Sequence, residues 1–277
     1  EVVRAGLAQA GVIEAPSKPH DWDVAPIVRP PVLCAGCPHI TTYMALRAID
    51  ACVPGDIGCY TLAAVEPLKA IESTLCMGAS IGNATGIAKA GTETRPIVAT
   101  LGDSTFIHSG VAPLMDAVYN GVNITVVILD NEITAMTGGQ HHPGTGKTLR
   151  GETTHKVDYE EIARAVGVKW VRTIDSYDMG LFYQTLREAT EFKGVAVLVS
   201  HRPCVLDPVK IKGEPLEVLA DGCTACQACM NLGCPAIIWS DALVDGQHKV
   251  LITEAACIGC TLCAQVCPTD CIQPVAS

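Results

Sequence analysis

A chain of 277 residues with 49% hydrophobic and 17% charged side chains is long and apolar enough to bury a sizeable core. Its formal net charge of −10 excludes the basic footprint of a nucleic-acid binder. No apolar run reaches the ~20 residues of a membrane-spanning helix and no secretory signal opens the sequence, while fifteen cysteines in clustered spacings point to a reducing cytoplasm.

In chain order, residues 1–31 carry Pro16, Pro19, Pro26, Pro30 and Pro31, which predicts a linker segment and no core element. The start at Glu1 reads as a processed chain or a portion of a longer one. From about residue 40, helix and strand alternate. The pattern predicts helices over 41–49, 78–89, 111–119, 158–166 and 179–191. Strands are predicted over 96–101, 123–129, 168–173 and 195–200, the second being strongly β-branched. Gly78, Gly82 and Gly86 recur every four residues, predicting one helix face that admits a backbone or ligand closely. This order predicts an α/β fold with a doubly wound, mostly parallel sheet over 32–205. The cysteine-rich stretch 223–267, spaced as in bacterial ferredoxins, predicts a small α+β domain over 206–277.

Two turns follow predicted strands, where open α/β sheets bind ligands. One is Gly102-Asp103-Ser104 and the other Asp130-Asn131-Glu132-Ile133. Mg²⁺ wants octahedral oxygen ligands and shares them readily with phosphate. The Asp103 carboxylate, the Asn131 amide oxygen and the Ile133 carbonyl would supply three, and a diphosphate two more. Gly102 and Ser104 are small enough for backbone amides to approach the phosphates. The nearby Gly144-Thr-Gly-Lys-Thr148 is no P-loop: His141 stands where its first glycine belongs.

The C-terminal cysteines read Cys223-x2-Cys226-x2-Cys229-x4-Cys234-Pro235 and Cys257-x2-Cys260-x2-Cys263-x3-Cys267-Pro268. Three cysteines at this spacing followed by Cys-Pro form an iron–sulfur signature, whose fourth ligand serves the other cluster. Paired zinc ligands would show a longer gap between two pairs. The predicted [4Fe-4S] sets are Cys223, Cys226, Cys229 and Cys267, and Cys257, Cys260, Cys263 and Cys234. The first copy is one residue longer before its last cysteine.

Cys34-x2-Cys37 alone fits a zinc half-site, a redox pair or a cluster half-site. Cys52 reads as a packed helix residue and Cys271 as packing. His39, His108, His141 and His142 lie in motif-rich loops, and each singly reads first as a structural hydrogen bond.

Gly-Asp-Ser at 102–104 with Asp-Asn-Glu-Ile-Thr-Ala-Met-Thr-Gly-Gly-Gln at 130–140 resembles the thiamine-diphosphate motif of 2-oxoacid:ferredoxin oxidoreductases. Cys34-Ala-Gly-Cys37-Pro-His39, Cys76-Met-Gly-Ala-Ser80 and His141-His-Pro-Gly-Thr-Gly146 resemble the indolepyruvate branch of that family. The likeness covers roughly residues 30–277. It implies cofactor contacts from Gly102, Asp103, Ser104, Asn131, Ile133, Thr137, Gly138, Gln140, Cys76, Met77 and Gly78, with His39 and Cys76 as catalytic candidates. It also implies a third [4Fe-4S] cluster on Cys34, Cys37, Cys59 and Cys204, the last two in Ile57-Gly58-Cys59 and Arg202-Pro203-Cys204.

The implied activity is oxidative decarboxylation of a 2-oxoacid with thiamine diphosphate, Mg²⁺ and coenzyme A. Electrons would pass through [4Fe-4S] clusters to ferredoxin. An aryl pyruvate such as indolepyruvate is the expected substrate. Phenylglyoxylate or pyruvate, or a non-catalytic electron-transfer subunit, are the alternatives. The glutamate that activates thiamine sits on a pyrimidine-binding domain in this family. Residues 1–30 are too short to be one, so another subunit or a missing segment is expected to supply it.

Overall fold

The computed structural model describes residues 2–14, 31–207 and 213–275. Residues Glu1–Pro31 and Val32–Ser277 form separate compact units. The first holds helix α1 (Val2–Gln9) where a linker is expected. Its prolines at 16–30 lie outside the described residues.

The second unit opens with helix α2 (His39–Ala48), followed by the short parallel pair β1 (Pro54–Gly55) and β2 (Ser73–Thr74). Helix α3 (Ser80–Ala90) leads to strand β3 (Val98–Gly102). The turn α4 (Asp103–Thr105) runs through a π-helical stretch into α5 (Val111–Tyr119). Then come β4 (Ile124–Asp130), α6 (Tyr159–Ala165), β5 (Trp170–Asp175), α7 (Met179–Glu191) and β6 (Val195–His201). Asp158 and Asp178 cap α6 and α7, accepting the Glu161 and Leu181 amides at 3.0 and 2.9 Å.

Strands β3 to β6 form one parallel sheet in the order β3-β4-β6-β5. Pleating sends alternate residues to opposite faces. Val127, Leu129 and Leu198 meet Tyr43, Leu46, Phe182 and Leu186 of α2 and α7. Val126, Ile128 and Val197 meet Ile81, Leu114, Ala117 and Ala163 of α3, α5 and α6. Both faces are therefore covered, and each buried Val, Leu, Ile or Phe among these contributes about 1.5–3 kcal/mol.

The core beside α2 and α7 continues into the C-terminal region through Leu216, Leu232, Leu262 and Ile272. Here β7 (Leu216–Val218) pairs antiparallel with β10 (Ile272–Pro274). Between them β8 (Ile237–Val244) and β9 (Gln247–Ile252) form a hairpin, followed by α8 (Leu262–Gln265). This is the expected α/β layout with a small α+β appendage.

Two local expectations are corrected. Gly78 lies ahead of α3 at φ +89°, and Gly82 and Gly86 face open space, so among the described residues no backbone uses that stripe. Cys52 is not helical. It follows α2 and bridges to Ile97, extending the sheet beside β3.

Candidate active site

The predicted Mg²⁺ ligands and Cys204 lie past the carboxyl ends of parallel strands. Asp103 follows β3, Asn131 follows β4 and Cys204 lies three residues past β6. A cavity of about 110 Å³ opens at this edge. Its lining includes His39, Tyr60, Met77, Gly102, Asp103, Ser104, Asn131, Ile133 and Thr137.

Asp103 is 3% exposed. Its Oδ1 accepts the Ser104 amide at 2.7 Å. Its Oδ2 lies 3.2 Å from His142 Nε2, too poorly aligned for a hydrogen bond, and both atoms are otherwise without a partner. Burial pushes the Asp103 carboxyl above the usual range, with His142 pulling the other way. A buried carboxylate lacking a cation is the environment that a divalent ion would relieve. His142 Nδ1 accepts the Gly144 amide at 3.2 Å, which places the imidazole proton on Nε2, toward Asp103.

Asn131 Oδ1 receives the Ile133 amide at 3.3 Å, and its Nδ2 stands 3.5 Å from His39 Nε2. The Ile133 carbonyl accepts Ala135 N–H at 3.0 Å and keeps a second lone pair. Burial holds His39 neutral, lowering its pKa to about 4, and its ring meets Tyr60 edge-on at 5.7 Å. Tyr60 in turn donates to the Ile57 carbonyl and accepts the Gly102 amide.

Other expected contacts are not gathered here. Gln140 turns back onto Thr137, with its Nε2 donating to the Thr137 carbonyl at 2.8 Å. Gly138 and His141 line a neighbouring cavity instead. Cys76 and His108 are exposed and Gly78 is outside the lining. Gly78 still has a role, because its amide donates to Asp56 Oδ1 at 2.8 Å. Asp56 Oδ2 accepts Ser80 Oγ at 3.0 Å, so this fully buried carboxyl fixes the 76–80 turn. The sequence reading missed Asp56. Its only signal is its place before Ile57-Gly58-Cys59.

The scattered cysteines converge. Cys34, Cys37, Cys59 and Cys204 line one cavity, which shares His39, Cys59, Asn131 and Ala135 with the first. The Cys204 amide donates to the Asn131 carbonyl at 3.0 Å. Burial, then the charges of Cys34, Cys204 and Cys59, push the Cys37 thiol well up.

Cys223, Cys226, Cys229 and Cys267 line another cavity, together with Cys271, whose sulfur is 3.5 Å from that of Cys267. Cys263, raised to about 12 by burial, feels the charges of Cys260, Cys234 and Cys257. Each set of four thus gathers as a group. Among the described residues no three His, Cys, Asp or Glu converge tightly enough for a single metal ion. Sulfurs spread around a cavity suit a multi-iron cluster, whose bound iron would offset their mutual repulsion.

Comparison with known proteins fits this geometry. A profile described as thiamine pyrophosphate enzyme, C-terminal TPP binding domain, matches residues 56–200, and a 4Fe-4S binding domain profile matches 250–273. The chain is 40% identical over 99% of its length to indolepyruvate oxidoreductase subunit IorA of Archaeoglobus fulgidus, and covers 46% of that protein. It is 42% identical over 89% of its length to the Pyrococcus horikoshii subunit of that name, covering 41%. The chain thus spans less than half the length of these relatives. A 2-oxoglutarate:ferredoxin oxidoreductase from Magnetococcus marinus shares the fold, with TM-score 0.54 and 20% identity over 62% of this chain and 63% of that one. The chain accordingly belongs to the thiamine pyrophosphate enzymes, with a 4Fe-4S binding domain match near its C-terminal end.

Proposed function

We propose that residues 32–205 bind Mg²⁺–thiamine diphosphate and residues 206–277 carry electrons away, in the oxidative decarboxylation of a 2-oxoacid. The observation that carries this reading is the wall of His39, Cys59, Asn131 and Ala135, common to the Asp103 cavity and the four-cysteine cavity beside it. When bound, thiamine diphosphate supplies the carbon nucleophile that decarboxylation requires.

In this reading Asp103, Asn131 and the Ile133 carbonyl hold Mg²⁺. Met77 and Thr137 border the cofactor, and the neutral His39 orients Asn131. Cys34, Cys37, Cys59 and Cys204 hold a [4Fe-4S] cluster near the reacting atoms. The groups completed by Cys267 and Cys234 hold two more.

The preferred substrate is an aryl pyruvate such as indolepyruvate. Coenzyme A takes the acyl group, ferredoxin takes the electrons, and the cytoplasm is the setting. The relatives' name, indolepyruvate oxidoreductase subunit IorA, supports the substrate. No described helix is long and apolar enough to cross a membrane.

Another segment or subunit completes the site. Ile57, Met77 and Met136 form the cavity wall, yet are 42%, 49% and 59% exposed. An apolar rim of this kind fits a covering surface. The test is a panel of 2-oxoacids with coenzyme A and ferredoxin, given to this chain alone and to the assembled complex. Activity of the complex alone, highest with indolepyruvate, is expected. Activity of the isolated chain would remove the need for a covering segment, and absence of thiamine from the active complex would overturn the assignment.

A further inference from the structure

The peptide between Cys34 and Cys37 touches two cysteine groups at once. Gly36 lies at φ +67°, a conformation that favours glycine. A Cβ there would fall 2.2 Å from Ile258 Cδ1, 2.6 Å from Ile258 Cγ1 and 3.2 Å from Cys260 Cβ. The Gly36 backbone is therefore pressed against the loop that presents Cys257, Cys260 and Cys263. Cys234, the fourth member of that group, feels the Gly36 N–H, which favours its thiolate.

On its other side, the Gly36 carbonyl accepts the Tyr177 hydroxyl at 2.5 Å. Tyr177 is itself held from two directions. The Arg202 guanidinium stacks 4.2 Å over its ring, and Gln265 of α8 donates to its carbonyl at 2.8 Å. Gln265 Oε1 accepts the Met179 amide at 3.1 Å as well. One glycine peptide thus lies where the Cys34 loop, the end of β5 and the C-terminal region meet.

The remaining group, Cys223, Cys226, Cys229 and Cys267, has a different neighbour. The turn Ala228–Leu232, which carries Cys229, packs against α8, which carries Cys263, and Cys226 is exposed. The spatial order is therefore the Cys34 group, then the Cys234 group, then the Cys226 group at the surface.

We infer that Gly36 is a positioning residue for electron transfer, coupling the Cys34 site to the Cys234 site and making the latter the first stop in the ferredoxin unit. The inference rests on the cluster assignments proposed above. Each transfer moves one electron, lost by the donor cluster and gained by the acceptor, with no bond made or broken. An N–H aimed at a ligand sulfur stabilises the added negative charge and raises the acceptor's potential. Only glycine lets the two loops approach this closely.

The test uses the anaerobic, cluster-loaded complex carrying Gly36→Ala, Tyr177→Phe or the double change Gly36→Ala with Ile258→Ala. Iron analysis and EPR first count the clusters. EPR-monitored titration then gives the potential of the Cys234 cluster, and stopped-flow mixing with 2-oxoacid times the reduction of each cluster.

In Gly36→Ala, reduction of the Cys34 cluster should keep its wild-type rate. Onward transfer should slow at least tenfold, and the Cys234 potential should fall. Tyr177→Phe adds no atom and should shift the same two readings less. The double change frees space beside residue 36 and should recover part of the loss. Unchanged potential and onward rate in Gly36→Ala, with all clusters present, would overturn the role of Gly36. A wild-type complex with no cluster at the Cys34 site would instead overturn the reading beneath it, before any variant is made.

Discussion

His142 Nε2 and Asp103 Oδ2 face each other across 3.2 Å, both sealed from solvent and neither engaged by another hydrogen bond. The Gly144 amide occupies the other imidazole nitrogen, so the ring presents a proton to the carboxylate. The contact sets a polar neighbour beside the buried carboxylate, while Oδ1 accepts one amide.

Replacing Asp103 with Asn should abolish Mg²⁺-dependent thiamine diphosphate binding. His142→Ala should weaken it by about 10- to 100-fold, the usual cost of losing a group that orients a metal ligand. Calorimetric titration of cofactor with and without Mg²⁺ checks both. Unaltered affinity in Asp103→Asn would remove that residue from the metal site.

Cys34→Ser should cost one cluster in three, roughly a third of the bound iron. The two ferredoxin-type EPR signals should persist, since their cysteines lie in separate groups. Iron analysis and EPR on the anaerobically purified variant decide the outcome. Full iron content would show that Cys34 holds none.

Asp56 carries a pH signature. Burial raises its pKa above the ordinary 3.8, while Ser80 Oγ and the amides of Gly78, Ser80 and Ala79 partly oppose that. Between the unfolded and folded values, the folded chain binds the extra proton, so this group's contribution to stability declines as pH rises through that window. Asp56→Asn removes the titration. The wild-type melting temperature, relative to this variant, should fall as pH climbs from about 4 toward neutrality, measured anaerobically. Asp56→Ala should cost about 1–3 kcal/mol for each buried donor it strands.

Gln265→Ala removes two hydrogen bonds that tie α8 to the segment between β5 and α7. Each is worth about 0.5–1.5 kcal/mol. Faster amide hydrogen exchange at residues 177–181 is expected, with the central strand β4 unchanged. Unchanged exchange at those residues would show that the clamp is redundant.

The alternating helices and strands were readable because both periodicities are local, and the β-branched run before Asn131 could only become a buried strand. The cysteine repeat was readable for the same reason, since three ligands fall within one short loop. Cys59 and Cys204 were different. They are 145 positions apart, with no shared local pattern, and only resemblance joined them to Cys34 and Cys37. Asp56 was overlooked because its importance lies in donors from Gly78 and Ser80, more than twenty residues onward. Gln140 entered through resemblance alone, and its amide meets Thr137 three residues back. Gly82 and Gly86 showed that a helical stripe of glycines specifies what can approach, not what does.

Cys234 lies before the β8–β9 hairpin and Cys267 beyond it, yet each gathers with the cysteine trio on the opposite side of the hairpin. Neither trio can be completed by its own side of the chain. The folded hairpin brings the distant thiol into place. In the proposed assignment the two centres are therefore interlocked: until the hairpin is folded, iron at either one would meet three sulfurs and an open corner. The segment behaves as a clasp that is either shut at both ends or at neither.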